Sequence, residues 1–316
     1  MQLSILISTY NENCFQLVSA LQRQCEQAAV AYEILVGDDH SRDQVSLIAN
    51  RKISELPHCT FIDSDVNRGQ ARNRNILAER AQGEWLLFID SDAKVFTSDF
   101  IARYVDAMDK ADVVVGGLLT PELTPEQLDS HCITAALGAQ PRPFRVRRTL
   151  RYKYERNADK TRSAHYRTMH PFDKFTAFNA MVRRTTFMSV RFDEDCHQYG
   201  YEDTLFGYDL QRAGATMFHI DNPLLHMGID TNEEFLRKTE TSLHTLLALE
   251  EKTNGCSRLE QTAQKCGRYH LAWLVRLCFK ASKPLLRSNL LGRNPSLFLF
   301  SFYKLGFFLC LKAEKA

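Results

Sequence analysis

No two of the nine cysteines stand in a C-x-x-C pair, and their number is odd (positions 14, 25, 59, 132, 196, 256, 266, 278 and 310). That scatter excludes a disulfide framework and a clustered zinc site, and implies reduced thiols in a cytosolic compartment. Long apolar runs are missing too. The opening MQLSILISTYNEN lacks the basic leader and the apolar length of a secretory signal. The Phe- and Leu-rich run from Ser296 to Lys312 covers 17 residues and contains Lys304, short of the roughly twenty apolar residues that a bilayer crossing requires. Nor is there a charge excess: 40 Lys and Arg against 38 Asp and Glu leave +2, so nothing global points to nucleic acid. Internal repeats and low-complexity segments are absent.

A further absence is local. The turn after the first apolar run, Ser8 to Asn13 (STYNEN), contains no glycine. A dinucleotide-binding sheet needs G-x-G-x-x-G there, so that backbone amides can reach the pyrophosphate. If this chain binds a nucleoside diphosphate, the phosphate charge must be met by other means.

What is present is ordinary globular composition, 44% hydrophobic and 25% charged over 316 residues, enough for one large domain with an appendage. Short apolar runs predict strands at Leu3 to Ser8, Ile34 to Val36, Thr60 to Ile62, Trp85 to Ile89 and Val113 to Val115. Between them, helical spacing links Phe15, Val18, Leu21 and Cys25, and covers Gly69 to Ala81 and Phe100 to Met108. Strands this short and apolar are buried on both faces, which predicts an α/β fold with a mostly parallel, doubly wound sheet flanked by helices. Ligands in such sheets bind past the carboxyl ends of the strands. Polar residues gather at those ends: Thr9, Tyr10 and Asn11; Asp38 and Asp39; Asp90, Ser91 and Asp92.

Farther along, Pro141 to Arg167 holds ten Arg or Lys and little apolar periodicity, and reads as a long surface excursion or a loop ordered on binding. Phe175 to Arg184 predicts a strand, Asp203 to Ala213 a helix closed by Gly214, and Thr216 to Ile220 another strand. Beyond Asp230 the pattern is helical, and from Gly255 onward eleven Lys or Arg face two Glu and no Asp.

Asp90 and Asp92 are alternate residues of an extended segment and so share a face. Two hard oxygen ligands there suit Mg²⁺ or Mn²⁺ bridging a diphosphate; a solvated loop is the plainer alternative. Arg68 and Arg72, in NRGQARNRN, add fixed positive charge at the start of a helix whose dipole favours anions, or else line a basic exposed face. Glu202 and Asp203 open a helix, where acidic residues are favoured in any case.

The ordered segments ISTYNEN, ILVGDDHS, NRGQARNRN, LLFIDSD and GYEDTLFGYDL resemble the GT-A glycosyltransferases of family 2 over roughly residues 1 to 230. The resemblance implies a GT-A catalytic domain at 1–230, with a nucleotide-binding half at 1–95 and an acceptor half at 96–230 that carries the basic loop at 141–167. A helical, basic-amphipathic region would follow at 231–316. It implies a nucleotide-sugar site in which Thr9 and Tyr10 flank the base, with Asn11 and Ser91 beside them. Asp39 would bond base or ribose, Arg68 and Arg72 would approach the nucleotide, and Asn179 would lie near donor or acceptor. Asp90 would contact ribose or metal, and Asp92 would ligate Mn²⁺ or Mg²⁺, with His226 completing the shell. His219 competes for that place, and a structural role for His226 stays open. Inverting transfer needs an ionised carboxylate within reach of the acceptor hydroxyl; by resemblance that base is Asp203, with Glu202 positioning the acceptor.

The expected activity is metal-dependent, inverting transfer of a sugar, UDP-linked, to a glycan or lipid-linked glycan in surface polysaccharide synthesis. The alternatives are an inactive nucleotide-sugar-binding scaffold and a sugar nucleotidyltransferase, although the latter normally needs the glycine-rich loop that is missing. The basic, Phe- and Leu-rich segment 270–316 suggests peripheral contact with the cytosolic face of a membrane. Packing against the catalytic domain, or against a second subunit of a homodimer, would also bury it.

Overall fold

A computed structural model describes residues 1–122, 149–173, 175–196, 198–253, 255 and 257–315. Residues 141–148 of the expected basic excursion, Cys132 and Cys256 lie outside that set. The strands are β1 (Leu3–Thr9), β2 (Tyr32–Asp38), β3 (Cys59–Ile62), β4 (Trp85–Asp90), β5 (Ala93–Lys94), β6 (Val113–Val115), β7 (Leu118–Leu119), β8 (Asn179–Arg183), β9 (Met217–His219) and β10 (Leu224–His226). The helices of the first two thirds are α1 (Phe15–Gln27), α2 (Gln44–Arg51), α3 (Gln70–Arg80), α4 (Phe100–Val105), α5 (Leu150–Ala158), α6 (Ala164–Met169), α7 (Arg184–Val190) and α8 (Glu202–Arg212). Then come α9 (Asn232–Ala248), α10 (Glu250–Thr253), α11 (Arg258–Arg268), α12 (Ala272–Leu291) and α13 (Leu297–Lys315).

The chain divides into two compact units. The first is formed by Met1–Pro121, Asp159–His197 and Glu202–Gly228. Its seven-stranded sheet has the order β3-β2-β1-β4-β8-β6-β9, and β8 alone runs against its neighbours. The expected mostly parallel α/β sheet is therefore present. Continuous apolar runs build it because both faces are covered: Ile5 sits in register with Ile34 and Leu87, and these pack with Leu17, Val18, Leu21 and Cys25 of α1 in one core. A second apolar layer is aromatic. The rings of Phe88, Phe187, Phe192 and Phe206 contact one another, and Phe192 stacks on Phe206 at 4.3 Å. A small sheet, β5-β10-β7, accompanies the large one.

Register positions the site. Ser8 lies opposite Asp90, and Thr9 opposite Asp38, so the carboxyl ends of β1, β2 and β4 form one edge. Helix α3 is tied to that edge by Asn73, whose Nδ2 donates to Ser8 Oγ and to the Gly37 carbonyl, both at 2.8 Å.

The described part of the basic segment corrects an expectation. It is no loop: α5 and α6 fill it. Arg167 of α6 is buried and donates to the carbonyls of Arg162, Val115, Gly116 and Ile220. Its partners are thus four backbone oxygens and the His219 ring nitrogen, and no carboxylate is among them.

The second unit comprises Glu122–Ala158, Gln198–Tyr201 and Ile229–Ala316. Phe235, Leu236, Phe279, Leu286, Leu290, Phe300 and Tyr303 form one core cluster there. Leu243, Leu246, Phe308, Leu309 and Leu311 form another. The Phe- and Leu-rich run is therefore α13, whose Phe300, Tyr303, Phe308, Leu309 and Leu311 are buried in these clusters, while Phe298 is exposed. Capping boxes at Thr231/Glu234 and Ser257/Glu260 start α9 and α11. Among the described residues no helix is long and apolar enough to cross a membrane.

Candidate functional site

Past the carboxyl end of β4, three carboxylates, Asp90, Asp203 and Glu202, gather around one guanidinium. Arg74 of α3 is only 3% exposed at its side chain. Its Nη2 donates to Asp90 Oδ1 at 2.6 Å, and its Nη1 donates to Asp203 Oδ1 at 3.0 Å. The guanidinium also lies 5.2 Å from the Phe192 ring centroid. Gln70, one turn earlier on the same face of α3, donates to Asp90 Oδ1 at 3.2 Å. Asp203 receives two more bonds at Oδ2, from the Thr176 hydroxyl at 2.9 Å and the Ala177 backbone N–H at 3.0 Å. Two carboxylate oxygens offer about four lone-pair sites, so Asp203 keeps capacity for one further donor.

Burial raises the Asp90 carboxyl above the usual range, Arg74 opposes this, and the Asp92 and Asp203 charges reinforce it. Glu202 is pushed up to about 7, first by burial and then by the Asp203 charge. Arg74 is held firmly charged: burial works against the cation, but Asp90, Asp203 and Glu202 together outweigh it.

Asp92 is met from the other side. Strand β10 pairs with β5 so that His226 lies opposite Ala93, and the Met227 N–H donates to the Asp92 carbonyl at 2.9 Å. This register carries His226 Nε2 to 3.1 Å from Asp92 Oδ2, with the Phe178 ring edge-on to the imidazole at 5.3 Å. Gly228 leaves the room: a Cβ there would stand 2.0 Å from Asp92 Oδ2. A divalent ion fits this donor set. Mg²⁺ and Mn²⁺ suit one or two protein ligands plus water and phosphate oxygens, and the acidic excess over Arg74 calls for a cation. The described residues contain no group of three His, Cys, Asp or Glu side chains placed to hold a metal; Asp92 and His226 are the pair that approach each other here. Asp90 instead faces Arg74 and Gln70.

The remaining expected residues divide. Tyr10 is exposed and Ser91 half-buried, next to the strand ends. Thr9 is buried, and its hydroxyl donates to the Glu12 carbonyl at 3.1 Å. Asn11 ties two loops together, its Oδ1 accepting from the backbone of Arg42 and Asp43 at 2.6 and 3.0 Å. Asp39 accepts the backbone N–H groups of Arg68 and Gly69 at 2.7 and 2.9 Å, fixing the entry to α3. The Arg68 side chain donates to Ser64. Arg72 points away from the acidic cluster, toward Glu194 at 3.5 Å.

Asn179 does not line the site. It is fully buried; its Nδ2 donates to the Gly117 and Asn222 carbonyls, both at 2.8 Å, and its Oδ1 accepts from the Tyr104 hydroxyl at 2.7 Å. His219 is likewise structural: Nδ1 faces Arg167 at 2.8 Å and Nε2 the Pro171 carbonyl at 3.1 Å. The residues that sequence reasoning missed are Arg74, Gln70 and Thr176. Spacing held a signal for the first two, because Gln70 and Arg74 stand four apart and share a helix face that Arg72 does not.

Comparison with known proteins shows the family and the fold. The family described as Glycosyl transferase family 2 matches residues 4–187. The uncharacterized glycosyltransferase YfnE of Bacillus subtilis (strain 168) is 24% identical over 251 residues, 68% of this chain and 62% of that protein. The poly(ribitol-phosphate) beta-N-acetylglucosaminyltransferase TarS of Staphylococcus aureus (strain Mu50 / ATCC 700699) is 31% identical over 94 residues, 29% of this chain and 16% of that one. The matches thus span less than two thirds of these curated relatives. Among solved structures, the mannosyltransferase PcManGT from Pyrobaculum calidifontis, in complex with GDP-Man and Mn²⁺, is similar in fold, with a TM-score of 0.52, 16% identity and coverage of 99% of this chain and 86% of that chain. The architecture is that of the GT-A transferases. With the family match covering more than half of its length, the chain belongs to glycosyl transferase family 2.

Proposed function

We propose that the first unit is a catalytic domain that moves a sugar, with inversion, from a nucleoside-diphosphate donor to a hydroxyl of a glycan or lipid-linked glycan. The observation that carries this reading is the clasp of Arg74 on Asp90 and Asp203 at 2.6 and 3.0 Å. It holds a strand-end carboxylate and a separate helix carboxylate in fixed relation at the edge where such sheets bind ligands. Asp203 is the general base: the acceptor oxygen attacks the anomeric carbon, its proton passes to the free lone pair of Asp203, and the bond from that carbon to the diphosphate breaks. Glu202, with its carboxyl pushed up to about 7, can both give and accept a hydrogen bond near neutral pH, which suits it to orient a sugar hydroxyl. A divalent cation at Asp92 and His226 would supply charge neutralisation to the departing diphosphate. UDP-linked donors are the class to test first, and GDP-sugars, one of which is bound in the mannosyltransferase of similar fold, are the control.

The test has two steps. A panel of nucleotide sugars with Mn²⁺ is screened for thermal stabilisation, since a bound ligand raises apparent stability by mass action. Transfer is then measured with the donor found. Asp203→Asn should lower kcat by about a thousandfold while donor KM stays within about twofold. Transfer by Asp203→Asn at the unsubstituted rate would remove the base assignment, and donor binding without transfer to any acceptor would favour a scaffold.

A further inference from the structure

Helix α12 of the second unit has two apolar sides, and only one faces its core. Phe279, Leu286 and Leu290 are buried and mark the inner side. At the angular spacing of a helix, Trp273, Leu277 and Leu291 fall on the opposite side, with Leu274 and Leu285 next to them. Trp273 is 59%, Leu277 58% and Leu285 76% exposed. The exposed positions between them, Ala281, Pro284 and Ser288, carry no charge. An apolar strip along a twenty-residue helix is far more than the scattered exposed leucine of an ordinary surface.

The charges of α12 lie along one margin of that strip. They are Arg276, Lys280, Lys283 and Arg287, and the helix contains no acidic residue. Arg287 is engaged with Glu240, and the Lys283 ammonium lies over the rings of Phe279 and Phe307. Arg276 and Lys280 make no ion pair among the described residues, and Lys280 is exposed. An uncharged apolar face with basic groups on its flank is complementary to one kind of surface, a bilayer bearing anionic headgroups. A second copy of this chain is a poorer match: in a two-fold pairing α12 would offer no carboxylate to its partner's basic margin.

We infer that α12 docks the protein on an anionic membrane, lying in the plane of the interface with Trp273, Leu277 and Leu285 at the acyl boundary and Arg276 and Lys280 among the headgroups. This inference does not depend on the transfer reaction. It places the contact on α12, not on the Phe- and Leu-rich α13, whose Phe300, Tyr303, Phe308 and Leu309 are core.

The chain contains its own probe. Of the two tryptophans, Trp85 is 1% exposed in the sheet and Trp273 is open, so a change in emission reports α12. Full-length protein is mixed with phosphatidylcholine vesicles containing about one third phosphatidylglycerol, and separately with pure phosphatidylcholine vesicles. The expected results are a blue shift and co-sedimentation with the anionic vesicles, both weakened by added salt, and at least a tenfold weaker partition onto the neutral ones. Leu277→Ser/Leu285→Ser should lower partition by about tenfold or more with an unchanged melting temperature, because both side chains are already exposed. Arg276→Gln/Lys280→Gln should abolish the salt dependence while keeping the fold. Failure to bind anionic vesicles, or equal binding by the double-serine protein, overturns the inference. So does a concentration-dependent dimer that shifts Trp273 emission without lipid and is lost in the double-serine protein.

Discussion

Replacing Arg74 with Met would leave Asp90 and Asp203 facing each other across the space that the guanidinium fills. Removing one member of a buried ionic group strands the others, at a cost of roughly 3 to 5 kcal/mol. Arg74→Met is therefore expected to be destabilised by about that amount in urea unfolding, and to lose transfer activity beyond what its folded fraction explains. Arg74→Lys keeps the charge but has no fork to span two carboxylates, so it should fold better than the Met protein and still transfer poorly. Gly228 offers a milder test at the same scale. A methyl group there displaces the Asp92 carboxylate, the flexible end of a side chain, so the fold survives. Gly228→Ala should need about tenfold more Mn²⁺ for half-maximal thermal stabilisation, with its melting temperature in chelator unchanged. An unaltered Mn²⁺ midpoint would take Asp92 out of the proposed metal site. Composition does not separate Arg72 from Arg74; the facing of α3 does, because Arg74 shares the buried side of the helix with Ala71, Leu77 and Ala78 while Arg72 stays exposed.

At the scale of elements, what could be read ahead of the structure depended on whether side chains reported burial. β1, β2 and β4 were legible because their apolar runs are buried on both faces. α2 was not: Val45 and Ile48 point outward while Ser46 and Asn50 are buried, which inverts the usual pattern, and the Asp43 cap is its clearest signal. The direction of β8 was illegible in principle, since a short apolar run reads the same for either orientation. α5 and α6 read as a loop because few of their contacts are apolar: Leu150 is the one buried apolar residue of α5, while Arg151 pairs with Glu155 at 2.8 Å and lies over the Phe235 ring at 5.0 Å. The junction of α6 and β9 carries a pH dependence. Burial, and then the Arg167 charge, lower His219 from 6.5 to about 4. The native state therefore refuses a proton that the unfolded chain accepts, and stability present above pH 6.5 is lost as pH falls toward about 4. That interval sets a ceiling of about 3 kcal/mol. Urea unfolding across it should show the decline, and His219→Gln, less stable at neutral pH, should lack this part of the slope.

At the scale of the whole molecule, the catalytic reading rests entirely on residues of the first unit, while the second has clusters of its own to hold it together. Chains built from separate cores need not unfold in one step. Gly306 of α13 makes the consequence testable, because a Cβ at that position would stand 2.4 Å from Phe279 Cγ of α12. The close approach of these two helices thus requires glycine, and a larger side chain must push them apart. Gly306→Leu overpacks the cluster of Phe279, Phe300 and Tyr303, for which a cost of about 3 kcal/mol is expected. Native-state hydrogen exchange should locate that cost: amides of α12 and α13 lose protection, while those of β1, β2 and β4 keep theirs. If the amides of β1 and β4 lost protection to the same degree, the two units would share one cooperative transition. Nucleotide-sugar stabilisation would then weaken along with the C-terminal helices. Retained protection in β1 and β4 would mean that α12 can be disturbed, by mutation or by a lipid surface, without loosening the Arg74 clasp.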